Sequence, residues 1–240
     1  MFKELLSLFR SDDAIGQMAD DFQEMLAASR ELTLRAGRIF WEEADGTDEP
    51  MEISRRDVAI NKLERSIRRR VITHLTLGSE RRDVPYCLLL MSIVKDVERI
   101  GDYAKNLSEV HRDGGASVPD DPRGKELREL REVVETAFGR AMNVFGTSDS
   151  TAAVGLMNQL RDVNRRCDEL IPSVASAEYD APTTTTLILG ARYYKRIGSH
   201  VLNILTGIVM PLHKLDYYDE DQLEGLVDEA ELSDAGDEED

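Results

Sequence analysis

No apolar run in this chain approaches the ~20 residues a helix needs to cross a bilayer. No charged leader with an apolar core and small-residue cleavage site opens it. A soluble protein is expected, peripheral to a membrane at most. Cysteine is nearly absent: Cys87 and Cys167 stand at no metal-ligand spacing, which argues against a disulfide framework and for a reducing cytoplasm. A basic excess is missing too, with 30 Lys and Arg against 47 Asp and Glu, so no nucleic-acid surface is expected. There is no Gly-rich phosphate loop, Ser-His-Asp set or Cys-His set. The only histidines are His74, His111, His200 and His213, and none lies three residues after a Glu. That argues against the paired Glu-x-x-His ligands of a ferritin-like di-iron enzyme. No catalysis is expected. No stretch alternates as a strand does.

The acidity is uneven. From Asp216 to Asp240 there are thirteen Asp and Glu and no Lys or Arg, whereas the remaining body carries 34 acids and 30 bases. Such a run is expected to stay solvated and disordered. At the other end, Met1–Arg10 is a separate amphipathic segment dominated by Phe2, Leu5, Leu6, Leu8 and Phe9. It is expected to pack on the bundle or on a dimer partner, since ten residues offer little area for a membrane anchor.

Between these ends the chain repeats itself. Asp83, Pro85, Leu90, Arg99, Ile100, Gly101 and Asn106 return 97 positions later as Asp180, Pro182, Leu187, Arg196, Ile197, Gly198 and Asn203. A shift of 105 links Arg35-Ala36 and Arg56-Asp57-Val58 to Arg140-Ala141 and Arg161-Asp162-Val163. Two copies of a unit of about 100 residues follow. Apolar residues recur at helical spacing over long stretches. The spacing predicts helices over 15–43, about 54–75, 85–111, 123–146, 150–177 and 183–213. Gly114-Gly115 and Pro119 to Pro122 form the linker, and Pro172 and Pro211 are expected to kink or end their helices. The expected fold is all-α: two tandem antiparallel three-helix bundles, residues 13–113 and 120–213, each burying an apolar stripe. Gly101 and Gly198, equivalent in the two copies, point to close helix–helix approach, because a helical Gly costs about 1 kcal/mol relative to Ala.

Chemistry concentrates in the first copy. Glu98 and Asp102 are i and i+4 on the third helix, and Asn106 continues their line one turn on. Like charges at this spacing repel, and no Lys stands on the Glu98–Asp102 line. The second helix offers a matching row, Asp57, Asn61, Glu64 and Arg68. If the two helices lie antiparallel, the two rows face each other. Oxygen-only ligand sets suit Mg, Ca, Mn or Fe. A solvated acidic face with Arg65, Arg68 and Arg99 as surface partners is the other reading, and from spacing alone it has the better claim. The run Arg65, Arg68, Arg69, Arg70 reads as a solvated helix face.

With Glu98-Arg99-Ile100-Gly101-Asp102 on a third helix, an Asp-bearing second helix and two tandem repeats, residues 13–213 resemble the PhoU family of phosphate-uptake regulators. The resemblance implies a cytoplasmic helical protein, a homodimer, and a divalent or iron-type metal ion on Asp57, Asn61, Glu64, Glu98, Asp102 and Asn106. Asn61 stands where the family often has Asp. The resemblance also implies docking on a phosphate ABC transporter, a sensor kinase, or both, with membrane contact at the inner face only through such partners. PhoU-like domains also stand beside phosphate symporters and potassium systems, so an adaptor for one of those, or a metal-free helical scaffold, stays open. In the second repeat Lys195 replaces Glu, Ser199 replaces Asp, and Arg166 matches Asn61. Lys195 and Arg166 are expected to neutralise Asp162 and Glu169 without a metal.

Overall fold

The computed structural model describes residues 14–43, 49–77 and 81–215. The segment 1–13 and the acidic tail from Asp216, for which packing and disorder respectively are expected, lie outside the described residues. Six long helices make up almost everything described, with no strand among the described residues. They are α1 (Ala14–Phe40), α2 (Glu49–Thr76), α3 (Val84–Glu109), α4 (Pro122–Thr147), α5 (Ser150–Ala175) and α6 (Ala181–Val209). Two single 3₁₀ turns, Arg81–Asp83 and Leu212–Lys214, flank them.

Local chemistry sets the starts. The Asp121 carboxylate accepts from the amides of Arg123 and Gly124, with Pro122 in the first turn where its missing N–H is harmless. Asp149 accepts from the Ala152 amide, and Asp180 from that of Thr183. Asp83 occupies the same position before α3 but makes no side-chain cap. Its Oδ2 lies 2.9 Å from His74 Nε2 instead, tying the end of α2 to the start of α3.

Some boundaries differ from the sequence expectation. The first helix stops at Phe40 rather than 43, because Glu42 takes a left-handed φ of 56°. The second begins at Glu49, ahead of Ser54. The last stops at Val209, just before Pro211, which cannot donate to the helix ladder. Pro172 is tolerated in the final turn of α5.

Each repeat is a three-helix bundle, but the bundles are not separate. The third helices α3 and α6 pack along each other, and α1 packs on α4. One contiguous core runs from Ile15 through Leu90 and Leu130 to Leu205. Phe22 meets Phe145 across the repeats at 5.0 Å between ring centroids. Helices α1 and α4 are antiparallel: Gly146 approaches Gln23, Gly139 approaches Arg30, and Gly37 approaches Glu135. Hence α1, α3 and α5 start, and α2, α4 and α6 end, at one end of the bundle. No helix among the described residues is long and apolar enough to cross a membrane.

Candidate functional site

The rows on α2 and α3 meet. Gly101 lets them do so: a Cβ there would lie 3.3 Å from Ile60 Cδ1 and 3.8 Å from Leu32 Cδ2. Asp57 is 7% exposed at this seam. The Asp102 carboxyl is held above the usual carboxylate range, first by burial, then by the negative charges of Glu98 and Asp57. That shared influence places the three carboxylates in one electrostatic neighbourhood. Asn61 and Asn106 lie one turn beyond Asp57 and Asp102, both half-buried. Glu64 sits farther along α2, paired with Arg68 at 3.0 Å.

Each carboxylate also has a cation of its own, although no Lys stands on the Glu98–Asp102 line itself. Lys95 Nζ donates to Glu98 Oε2 at 2.7 Å from one turn earlier on α3. Lys105 Nζ lies 3.6 Å from Asp57 Oδ2, reaching across from α3 to α2. Arg99 donates to Asp102 at 3.2 Å. A lysine four-carbon stem reaches a full helical turn, so a cation three residues off the acidic row still serves it. The oxygen-only donors are of the type a hard cation takes. The side chains nevertheless turn to their ammonium and guanidinium partners. Among the described residues no three His, Cys, Asp or Glu side chains converge as a ligand set.

The second repeat is wired differently. Lys195 donates to both oxygens of Asp168, at 2.5 and 2.6 Å. Ser199 donates to Asn164 at 3.1 Å. Asp162 and Glu169 are neutralised by Arg165, at 2.5 and 2.6 Å, not by Lys195 and Arg166. The reason is register: Arg165 is three residues after Asp162 and four before Glu169 on the same face of α5. Arg166 turns to α4 and pairs with Glu126 and Glu129.

Two polar links between repeats escaped the sequence reading. The buried Asp96 lies 2.8 Å from His200 Nδ1 and accepts from Asn203 at 2.9 Å, joining α3 to α6. His200 stacks on Tyr103, its counterpart in the first repeat. At the far end of α1, the Trp41 indole donates to the Tyr194 hydroxyl at 3.2 Å. Arg131 bridges Glu43 and Glu135, and Arg128 lies 4.4 Å over the Trp41 ring. The only available signal was indirect: one Trp at a helix end and polar residues on an otherwise apolar stripe.

The repeat seen in the helices has a counterpart among known proteins. The family pattern described as PhoU domain matches twice, over residues 15–110 and 127–208. The chain belongs to the PhoU family. A Xylella fastidiosa protein called "Phosphate-specific transport system accessory protein PhoU homolog" is 27% identical over 165 residues, covering 65% of this chain and 67% of that protein. Homolog 1 of the same name from Thermotoga maritima is 28% identical over 122 residues, covering 50% and 51%. The crystal structure of PhoU from Pseudomonas aeruginosa superposes with a TM-score of 0.72 at 18% identity, over 83% of this chain and 97% of that one. The phosphate transport system regulatory protein PhoU from Streptococcus pneumoniae gives 0.71 at 15% identity, over 81% and 93%. At such identities the structures establish the PhoU fold.

Proposed function

We propose that this chain is a non-enzymatic regulator of phosphate uptake that acts by docking on a transport system. The observation that supports the reading most is the paired PhoU domain match across nearly the whole helical body. Curated relatives carry the name of phosphate-specific transport accessory proteins. The partners would be subunits of a phosphate ABC transporter, a sensor kinase, or both, met at the cytoplasmic face, with the regulator itself a homodimer. Capture from solubilised membranes with the tagged full chain tests this. Recovery of phosphate transporter subunits is expected. Recovery of a phosphate symporter or a potassium system instead assigns the adaptor role.

We further propose a cation on the first repeat. Asp57, Glu98 and Asp102 would hold it, with Asn61, Glu64 and Asn106 at the margin. The raised proton affinity of Asp102 supports this in part: burial is its main cause, and the neighbouring charges of Glu98 and Asp57 add to it. A bound divalent ion would offset the mutual repulsion of the carboxylates and hold α2 and α3 in register. The Lys95, Arg99 and Lys105 pairs favour the competing reading, a metal-free adaptor on the same fold. Calorimetry on stripped protein with Mn, Fe, Mg and Zn decides between them. Binding that Asp102→Ala abolishes supports the cation. No binding, or equal binding by the variant, assigns the metal-free adaptor.

A further inference from the structure

The end of the bundle where α1 begins carries exposed apolar side chains. A cavity of about 280 Å³ opens there between the first turns of α3 and α5 and the last of α6, lined by Pro85, Leu89, Ser150, Gly207, Leu212 and Leu215. Beside it the first turns of α3 and α5 expose Val84 (37%), Leu88 (47%) and Val154 (47%). Val84 and Leu88 stand next in sequence to the lining residues Pro85 and Leu89, and Val154 is one turn on from Ser150. Cavity and exposed apolar residues thus occupy the same opening turns of α3 and α5, an apolar concentration of the kind that marks a binding face.

The chain itself supplies a matching element at the same place. Phe2, Leu5, Leu6 and Phe9 fall at i, i+3, i+4 and i+7, one face of two helical turns. Ten residues as a helix span about 15 Å. Only Ser11, Asp12 and Asp13 separate the segment from Ala14, where α1 starts at this end. Three extended residues reach about 10 Å. Asp21 pairs with Arg70 near the end of α2 and Phe22 meets Phe145 near the end of α4, so α1 starts at the same end of the bundle as the cavity.

We propose that Met1–Arg10 docks as a short helix across this end, its Phe2, Leu5, Leu6 and Phe9 face in the cavity and over Val84, Leu88 and Val154. The acidic tail leaves from the same end after Leu215, but it is the poorer occupant. Its thirteen carboxylates without a cation would have to be desolvated around an apolar cavity. Met1–Arg10 carries one acid, Glu4, against Lys3 and Arg10. Docking removes the exposed side chains of Val84, Leu88 and Val154 from water.

Hydrogen exchange on the full chain tests the proposal. Amides of residues 3–9 are expected to exchange at least about tenfold more slowly than in the free peptide, at any protein concentration and without lipid. Leu5→Asp with Leu6→Asp, confined to the segment, is expected to abolish that protection. Ser150→Trp, which fills the cavity mouth from the bundle side, is expected to abolish it too while the core amides of α6 stay protected. Free-rate exchange of residues 3–9 in the parent overturns the proposal, as does protection that survives Ser150→Trp in a folded bundle. Protection that appears only on raising protein concentration assigns the surface to a second copy. Protection that needs phosphatidylglycerol vesicles assigns it to a membrane, and protection of residues 223–232 instead assigns it to the tail. Each of these three also overturns docking by Met1–Arg10 in the same chain.

Discussion

The α2–α3 seam of the first repeat and the α5–α6 seam of the second have the same backbone and opposite electrostatics. In the first, Glu98 and Asp102 sit beside Asp57, and three separate cations from α3 hold the carboxylates. In the second, Lys195 and Ser199 stand at the matching positions, and the seam closes with an ion pair to Asp168 and a neutral hydrogen bond to Asn164. The glycines show that the frame is common. A Cβ on Gly101 would meet Ile60 and Leu32, and one on Gly198 would meet Leu160 at 3.4 Å and Val134 at 3.5 Å. A duplicated helical frame can thus keep its packing while one copy carries Glu98 and Asp102 at the seam and the other carries Lys195 and Ser199.

The comparison treats the copies as local variants of one unit, and the largest expected effect tests whether they are independent. Arg131 is 12% exposed and joins Glu135 of the second repeat to Glu43 of the first. Burial already pushes the Glu135 carboxyl above its ordinary range. Replacing Arg131 with Met strands that acid and should cost about 3 kcal/mol. Urea unfolding should stay a single transition for parent and variant, because one core spans both repeats. Two resolved transitions would mean that the repeats are separable.

Converting the second seam into the first comes next. Lys195→Glu with Ser199→Asp removes the Asp168 pair and introduces like charges, at a cost of about 1 kcal/mol in metal-free buffer. Thermal melts should show the drop, and added Mn²⁺ should reverse part of it if a second cation site has begun to form.

A smaller effect, with a defined pH dependence, is expected at Asp102. Its folded-state pKa is raised, so the folded protein binds a proton more readily than the unfolded chain. Stability therefore falls as pH rises through the window between the ordinary carboxylate value and the folded one. Asp102→Asn removes the repulsion and should stabilise the chelated protein by up to about 1 kcal/mol at pH 7. That advantage should shrink as pH falls through the folded pKa of Asp102. Urea midpoints for the two proteins from pH 7 to pH 4 measure it.

The smallest effect sharpens the glycine comparison. Gly198→Ala meets only ordinary contacts and should gain up to about 1 kcal/mol from helix propensity. Gly101→Ala must displace Ile60 slightly, so its gain should be less or absent. Paired thermal melts compare them.

The separation between what was legible and what was not follows from range. Heptad-like apolar spacing, the Asp-x-Pro starts at Asp83 and Asp180, and the doubled Arg-Ile-Gly specify helices and their repetition, because these signals act within one or two turns of backbone. The position of Asp57, Glu98 and Asp102 on facing rows was legible for the same reason. Residues further along the chain showed their limits: Glu42 ended α1 early through its own left-handed backbone, and Pro211 stopped α6 short.

What only the tertiary structure decided is which partner each charged group takes. Lys95, Lys105 and Arg165 answer carboxylates from one turn away or from the neighbouring helix, and Arg166 turns instead to α4. Long side chains reach several partners at similar cost, so the choice rests on helix rotation and on which groups lose water. The joining of two bundles into one core, through Asp96 with His200 and Asn203 and through Trp41 with Tyr194, is decided in the same way. By itself the sequence determined six helices, their duplication and the asymmetry of charge between the copies. Contacts separated by about a hundred residues carry no periodic signal, and they form only once the apolar faces of both repeats are brought together and buried.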